Sequence, residues 1–161
     1  DIYPALEKGT IDAAEWVGPY DDEKLGFFKV AKHYYYPGWW EPGPVIHFFV
    51  NKAEWAKLPK EYQEAFQAAA YESNVTMMAE YDHKNPAALA KLMQAGVKVR
   101  EFSSEILKAT YKAATELYAD EAGKNPAFKK IHVEYEKYQR AQSAWFSLAE
   151  RRMDGFLQTG K

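Results

Sequence analysis

From Phe128 to Phe156 one set of residues recurs at alternating spacings of three and four: Phe128, Ile131, Tyr135, Tyr138, Gln142, Trp145, Ala149, Arg152 and Phe156. That spacing lays a single stripe along an α-helix. At 1.5 Å per residue, one helix through the whole pattern runs ~45 Å. A helix longer than a small domain is wide must find something else to lie against, so part of it is expected to brace a second lobe or a second subunit.

The remainder of the chain is punctuated by glycine and proline. Asp1 to Lys8 reads as a short helix capped by Asp1 and stopped by Gly9. Ile11 to Val17 reads as a buried strand in which Glu15 is out of place, and Asp21-Asp22-Glu23 put acids at the start of the next helix, where its dipole favours them. Val30 to Tyr36 and Val45 to Val50 are β-branched and aromatic runs that predict two strands joined by the loop PGWWEPGP. Beyond Asn51 the pattern turns helical: Ala53 to Leu58, then Lys60 to about His83, an interruption at Pro86, and a resumption over Ala87 to Gln94. Val97 to Phe102 alternates as a short strand, and Ser103-Ser104-Glu105 caps a helix to about Ala122.

Composition excludes several classes. With 161 residues, 47% of them hydrophobic, the chain can bury a core without covalent staples. A net charge of −2 without a basic run excludes nucleic acid as an expected partner, and the longest apolar stretches fall well short of a membrane span. The absence of cysteine removes disulfides, thiolate metal sites and thiol catalysis together. Asp1 is preceded by neither an initiator Met nor an apolar leader, so the chain reads as a mature product or a piece of something longer, the second being favoured.

Two carboxylates stand out chemically. Glu15 in AAEWVG and Glu41 in PGWWEPG lie in apolar settings, where a buried carboxylate needs a cation, a donor or a proton. Three readings follow. The pair finds nearby Lys, Arg or solvent; it helps hold a hard cation; or it forms the acid and base of a carbohydrate-active enzyme. The aromatic cluster Tyr34-Tyr35-Tyr36 with Trp39-Trp40 is read either as plain packing or as a pocket wall. The four histidines and nine glycines fall into no metal or nucleotide motif.

Residues 1–19, DIYPALEKGTIDAAEWVGP, resemble the signature stretch of the TRAP-transporter substrate-binding proteins, the DctP-like family, and most closely its 2-oxoacid (keto acid) branch. YYPGWWEPGP at 35–44 and HFFVNKAEWAKLP at 47–59 are similar to the corresponding family segments. The resemblance implies that Glu15, the carbonyl of Trp16, and Glu41 bind a cation, Na⁺ or Ca²⁺, that bridges to a substrate carboxylate. It also makes Tyr20 and Trp40 cleft-wall candidates. The family's carboxylate-clamping arginine and a cation-binding glutamine match nothing here, so an N-terminal half with its own lobe and secretion signal is expected upstream.

The resulting expectation is an α/β fold, a periplasmic-binding-protein-like second lobe with a mixed sheet and long C-terminal helices. Residues 1–123 would form the ligand-binding segment, and 124–161 the long helix bracing the lobes or a partner subunit. The implied function is non-enzymatic: a periplasmic protein closes on a small organic acid, a 2-oxoacid such as pyruvate, and delivers it to TRAP membrane subunits. A homodimer through the C-terminal helix is part of the same implication. The alternative is the carbohydrate-active enzyme using Glu15 and Glu41.

Overall fold

The computed structural model describes residues 1–160. In chain order the elements are α1 (Ile2–Glu7), α2 (Pro19–Leu25), a 3₁₀ turn (Phe27–Lys29), β1 (His33–Tyr36), α3 (Lys52–Lys57), α4 (Lys60–Gln94), β2 (Lys98–Glu101), α5 (Ser104–Lys124), α6 (Pro126–Ala149) and α7 (Arg151–Thr159). The chain divides into two compact units, Asp1–Phe102 and the segment that begins at Ser103. The class is α/β, mostly helical, with a small parallel sheet.

In the first unit, β1 and β2 pair in parallel with His33 opposite Lys98 and Tyr36 opposite Glu101. A parallel pair requires a crossover, and α4 provides it. Gly26 (φ 75°) ends α2 and Gly96 (φ 88°) turns α4 into β2, both in the left-handed region where a side chain is strained. Among the described residues the buried apolar ones are Ala88, Leu92 and Val97, from the last turns of α4 and the approach to β2.

Three sequence expectations need correction here. Ile11–Val17 and Val45–Val50 are not strands: both stretches are irregular and exposed, Val45 at 79% and Phe49 at 92%. A strand exists only through its ladder to a neighbour, and among the described residues β1 and β2 pair with each other alone. The predicted strand over Val30 to Tyr36 is likewise shortened to His33–Tyr36.

Pro86 does not interrupt α4, which runs unbroken for 35 residues with the proline inside it. Proline removes one backbone donor and crowds the preceding turn. The neighbouring turns are held by tertiary contact, since Asn85 bonds to α2 and Ala88 and Leu92 are buried.

In the second unit the expected continuous helix from Phe128 to Phe156 is two helices meeting at Glu150, whose φ/ψ of −106°/−54° stays right-handed but lies well off the usual helical values. Helical hydrogen bonds persist on both sides, Glu150 N–H to Phe146 O at 3.1 Å and Asp154 N–H to Glu150 O at 2.8 Å. Periodicity reports helical residues, and one distorted residue between two helices leaves that pattern undisturbed. The junction encloses an open hollow of about 740 Å³ lined by Tyr138, Gln142, Phe146, Arg151 and Asp154 among others. Along the stripe Ile131, Tyr135, Tyr138, Trp145 and Phe156 are exposed. Asn125 caps α6, its Oδ1 accepting from the N–H groups of Ala127 and Phe128, both at 3.1 Å.

Candidate functional site

Four of the five candidate residues lie outside regular elements, Glu15 and Trp16 before α2 and Trp40 and Glu41 after β1. Glu15 and Trp16 precede α2 in the irregular stretch that Gly18 and Pro19 terminate, and Glu41 follows β1 in the proline-rich loop. The Glu41 N–H donates to Gly38 O at 3.2 Å, closing a turn that presents the carboxylate outward. Glu15 is exposed as well; the raised pKa values of Asp22 and Tyr34 come first from burial, with the Glu15 charge the smallest contribution to each.

The indole of Trp16 meets Phe27 edge-on, with centroids 6.4 Å apart. Trp40 packs edge-on against Trp39 at 6.0 Å and against Phe102 at 5.4 Å, and Phe102 stacks on Tyr35 at 5.1 Å. These rings form a continuous aromatic row beside Glu41, built from β1, its following loop and the residue after β2. Trp40 keeps 42% of its surface exposed, so one side of the indole is available to a ligand.

Tyr20 occupies a different setting, on the face between α2 and α4. Its hydroxyl accepts from Lys24 Nζ at 2.7 Å and Lys84 Nζ at 3.0 Å, and both ammonium groups also lie over the ring, 3.9 and 4.7 Å from its centroid. The hydrogen bond from Lys24, then that from Lys84, lowers the phenol pKa. Lys84 is itself paired with Glu80, which with Tyr20 holds the ammonium pKa above its usual value.

The sequence reading missed a buried pair behind this surface. Asp22 is only 6% exposed, and its Oδ2 accepts from the Tyr34 hydroxyl at 2.6 Å. Asp22 does sit in the first turn of α2, as the dipole argument expects, but it points inward instead of toward solvent. Burial raises its pKa, with the Tyr34 hydrogen bond opposing. Asp22 Oδ1 and Asp21 Oδ2 are buried without a hydrogen-bond partner among the described residues. No local spacing announced this, since Leu25, three residues further along α2, is exposed.

Among the described residues, no three Asp, Glu, His or Cys side chains converge as a set that could hold a metal ion. The donor chemistry of Glu15, the Trp16 carbonyl and Glu41 nonetheless suits a hard cation, whose shell is built from carboxylate, carbonyl and ligand oxygens. Such a site takes its remaining oxygens from main chain and ligand.

The model of the bacterial extracellular solute-binding proteins of family 7, DctP, matches residues 1–125, and the chain belongs to that family. Over all 161 residues it is 45% identical to a monocarboxylate 2-oxoacid-binding periplasmic protein of Nostoc sp. strain PCC 7120, of which it covers 44%. Two solved TRAP solute-binding proteins share the fold at a TM-score of 0.90. The first, from Bordetella bronchiseptica RB50, is 48% identical, with 99% of this chain and 48% of that one covered. It is a mixed-occupancy dimer with copurified calcium and picolinate in one active site and the other apo. The second, from Colwellia psychrerythraea, is 35% identical over 96% of this chain and 48% of that one, and holds calcium and pyruvate. The chain thus spans less than half the length of these relatives.

Proposed function

We propose that this chain is part of a TRAP-transporter solute-binding protein that binds a small 2-oxoacid through a bridging cation and delivers it, without chemical change, to the membrane subunits of its transporter. The observation that carries the reading is the TM-score of 0.90 to two relatives that each hold calcium together with a small carboxylate. The 45% identity to a 2-oxoacid-binding protein along the entire chain supports the same substrate class. The relatives favour Ca²⁺ over Na⁺ and give the carbohydrate-active alternative no support. Their periplasmic setting makes the periplasm the proposed location, and no helix among the described residues is long and apolar enough to cross a membrane.

In this reading Glu15, the Trp16 carbonyl and Glu41 donate oxygens to the cation, and Trp40 shields the ligand from water. The cation neutralises the two carboxylates and orients the ligand's own. Tyr20, engaged with Lys24 and Lys84, serves at the rim of the same cleft. The exposed stripe on α6 and α7 is the surface through which a homodimer forms, in keeping with the dimeric Bordetella relative. Residues 1–123 remain the proposed ligand-binding segment and 124–161 the bracing one.

Thermal melting of the intact protein with pyruvate and longer 2-oxoacids, with and without Ca²⁺ or Na⁺, tests the proposal. A ligand that binds only the folded state stabilises it by about 2.7 kcal/mol at a hundredfold excess over Kd. The expected result is a shift requiring both acid and cation. A flat response to every combination, or turnover of a glycan, would refute it.

A further inference from the structure

The pair Asp22–Tyr34 has no role in the function just proposed, and its chemistry is unusual for a purely structural contact. A carboxylate at 6% exposure, with one oxygen bonded and the other without a partner among the described residues, is costly to bury. An apolar pair of the same shape would hold α2 against β1 with no such cost. A 2.6 Å hydrogen bond to a buried carboxyl oxygen does what an apolar contact cannot: it is short, directional and fixes two atoms relative to each other.

What the bond fixes is informative. Asp22 belongs to α2, immediately after the segment bearing Glu15 and Trp16, and Tyr34 belongs to β1, immediately before the loop bearing Glu41. On the far side, Tyr34 is anchored by its register opposite Val99 of β2. The bond thus ties the helix that follows one donor-bearing segment to the strand that precedes the other, and productive ligand geometry tolerates errors of only about 0.5 Å.

We infer that Asp22 and Tyr34 are positioning residues of the cation site, a hydrogen-bonded tie that holds the Glu15–Trp16 segment at the correct distance from Glu41. The inference rests on the cation-bridged reading of those residues.

The test is calorimetric titration of Ca²⁺ into the intact protein at saturating pyruvate, with the melting temperature of each cation-free variant measured alongside. Tyr34→Phe removes only the hydroxyl and is expected to weaken Ca²⁺ binding roughly 10- to 100-fold, the usual effect of losing a hydrogen-bonded support behind metal ligands. Asp22→Asn still accepts from Tyr34 and is expected to retain most of the affinity. Should Tyr34→Phe fail to fold, the double variant Asp22→Leu/Tyr34→Phe replaces both partners with apolar groups, and the same loss is expected from it. Wild-type affinity in a folded Tyr34→Phe or double variant overturns the inference, as does an equal loss in Asp22→Asn, which would assign the effect to charge. If the wild type itself shows no calcium-linked pyruvate binding, the proposed function fails, and the inference with it.

Discussion

The main-chain N–H of Tyr20 donates to Asn85 Oδ1 at 3.1 Å, so a residue in the middle of α4 caps the start of α2. The cap position of α2 is Gly18, which has no side chain to do this itself, and Asn85 Oδ1 lies 3.6 Å from where a Gly18 Cβ would stand. Removing that acceptor leaves an N-terminal donor of α2 unsatisfied. Asn85→Ala is expected to lower stability by about 1 kcal/mol, the usual cost of a lost cap, as measured by urea unfolding.

Asp22 makes stability depend on pH in a defined direction. Burial, followed by the opposing Tyr34 hydrogen bond and then the charges of Asp21 and Glu15, leaves its folded pKa above the ordinary 3.8. The folded state therefore holds this proton more tightly than the unfolded chain does. Its stabilising effect is complete below the unfolded pKa and is lost as pH rises through the raised folded value. Asp22→Asn lacks this loss, so as pH rises from about 4 through the raised folded value the wild type is expected to lose stability relative to the variant. Parallel unfolding curves across that range would contradict the assignment.

Glu15→Gln and Glu41→Gln each remove one negative charge from the proposed donor set. Each is expected to lower Ca²⁺ affinity roughly tenfold or more, since ligand charge count sets affinity at hard-cation sites. Cation-free melting temperatures should change little, because both side chains are exposed. Calorimetry with Ca²⁺ and pyruvate checks this, and a chelator added to the loaded wild type should return its melting temperature to the cation-free value.

Leu92 is the largest fully buried side chain, at 1% exposure, in a core whose other buried apolar members are Ala88 and Val97. Leu92→Ala is expected to cost about 2–5 kcal/mol, from lost burial plus an unfilled cavity. Chemical denaturation reads the loss directly.

Helices were the most legible part of this chain, because their signals are local. Asn51, Ser103 and Asn125 each cap the helix that follows them, and the three-and-four spacing continues through α6 into α7. Strands were legible only where a partner exists: Tyr34 and Val99 face each other, whereas Ile11–Val17 and Val45–Val50 carry the composition of strands with no ladder to join. Glu15 and Glu41 stood out as carboxylates among apolar residues, but Asp22 looked like an ordinary acid of a helix first turn until its inward direction was visible.

By itself the amino-acid sequence determined where most of the helices lie, where several of them are capped, and which family carries the pattern AAEWVGP and PGWWEPGP, because each depends on neighbours a few positions apart. Tertiary structure alone decided that α4 passes through Pro86 and that Asp22 meets Tyr34. Those outcomes depend on contacts between residues distant in the chain, where packing and burial outweigh local preference.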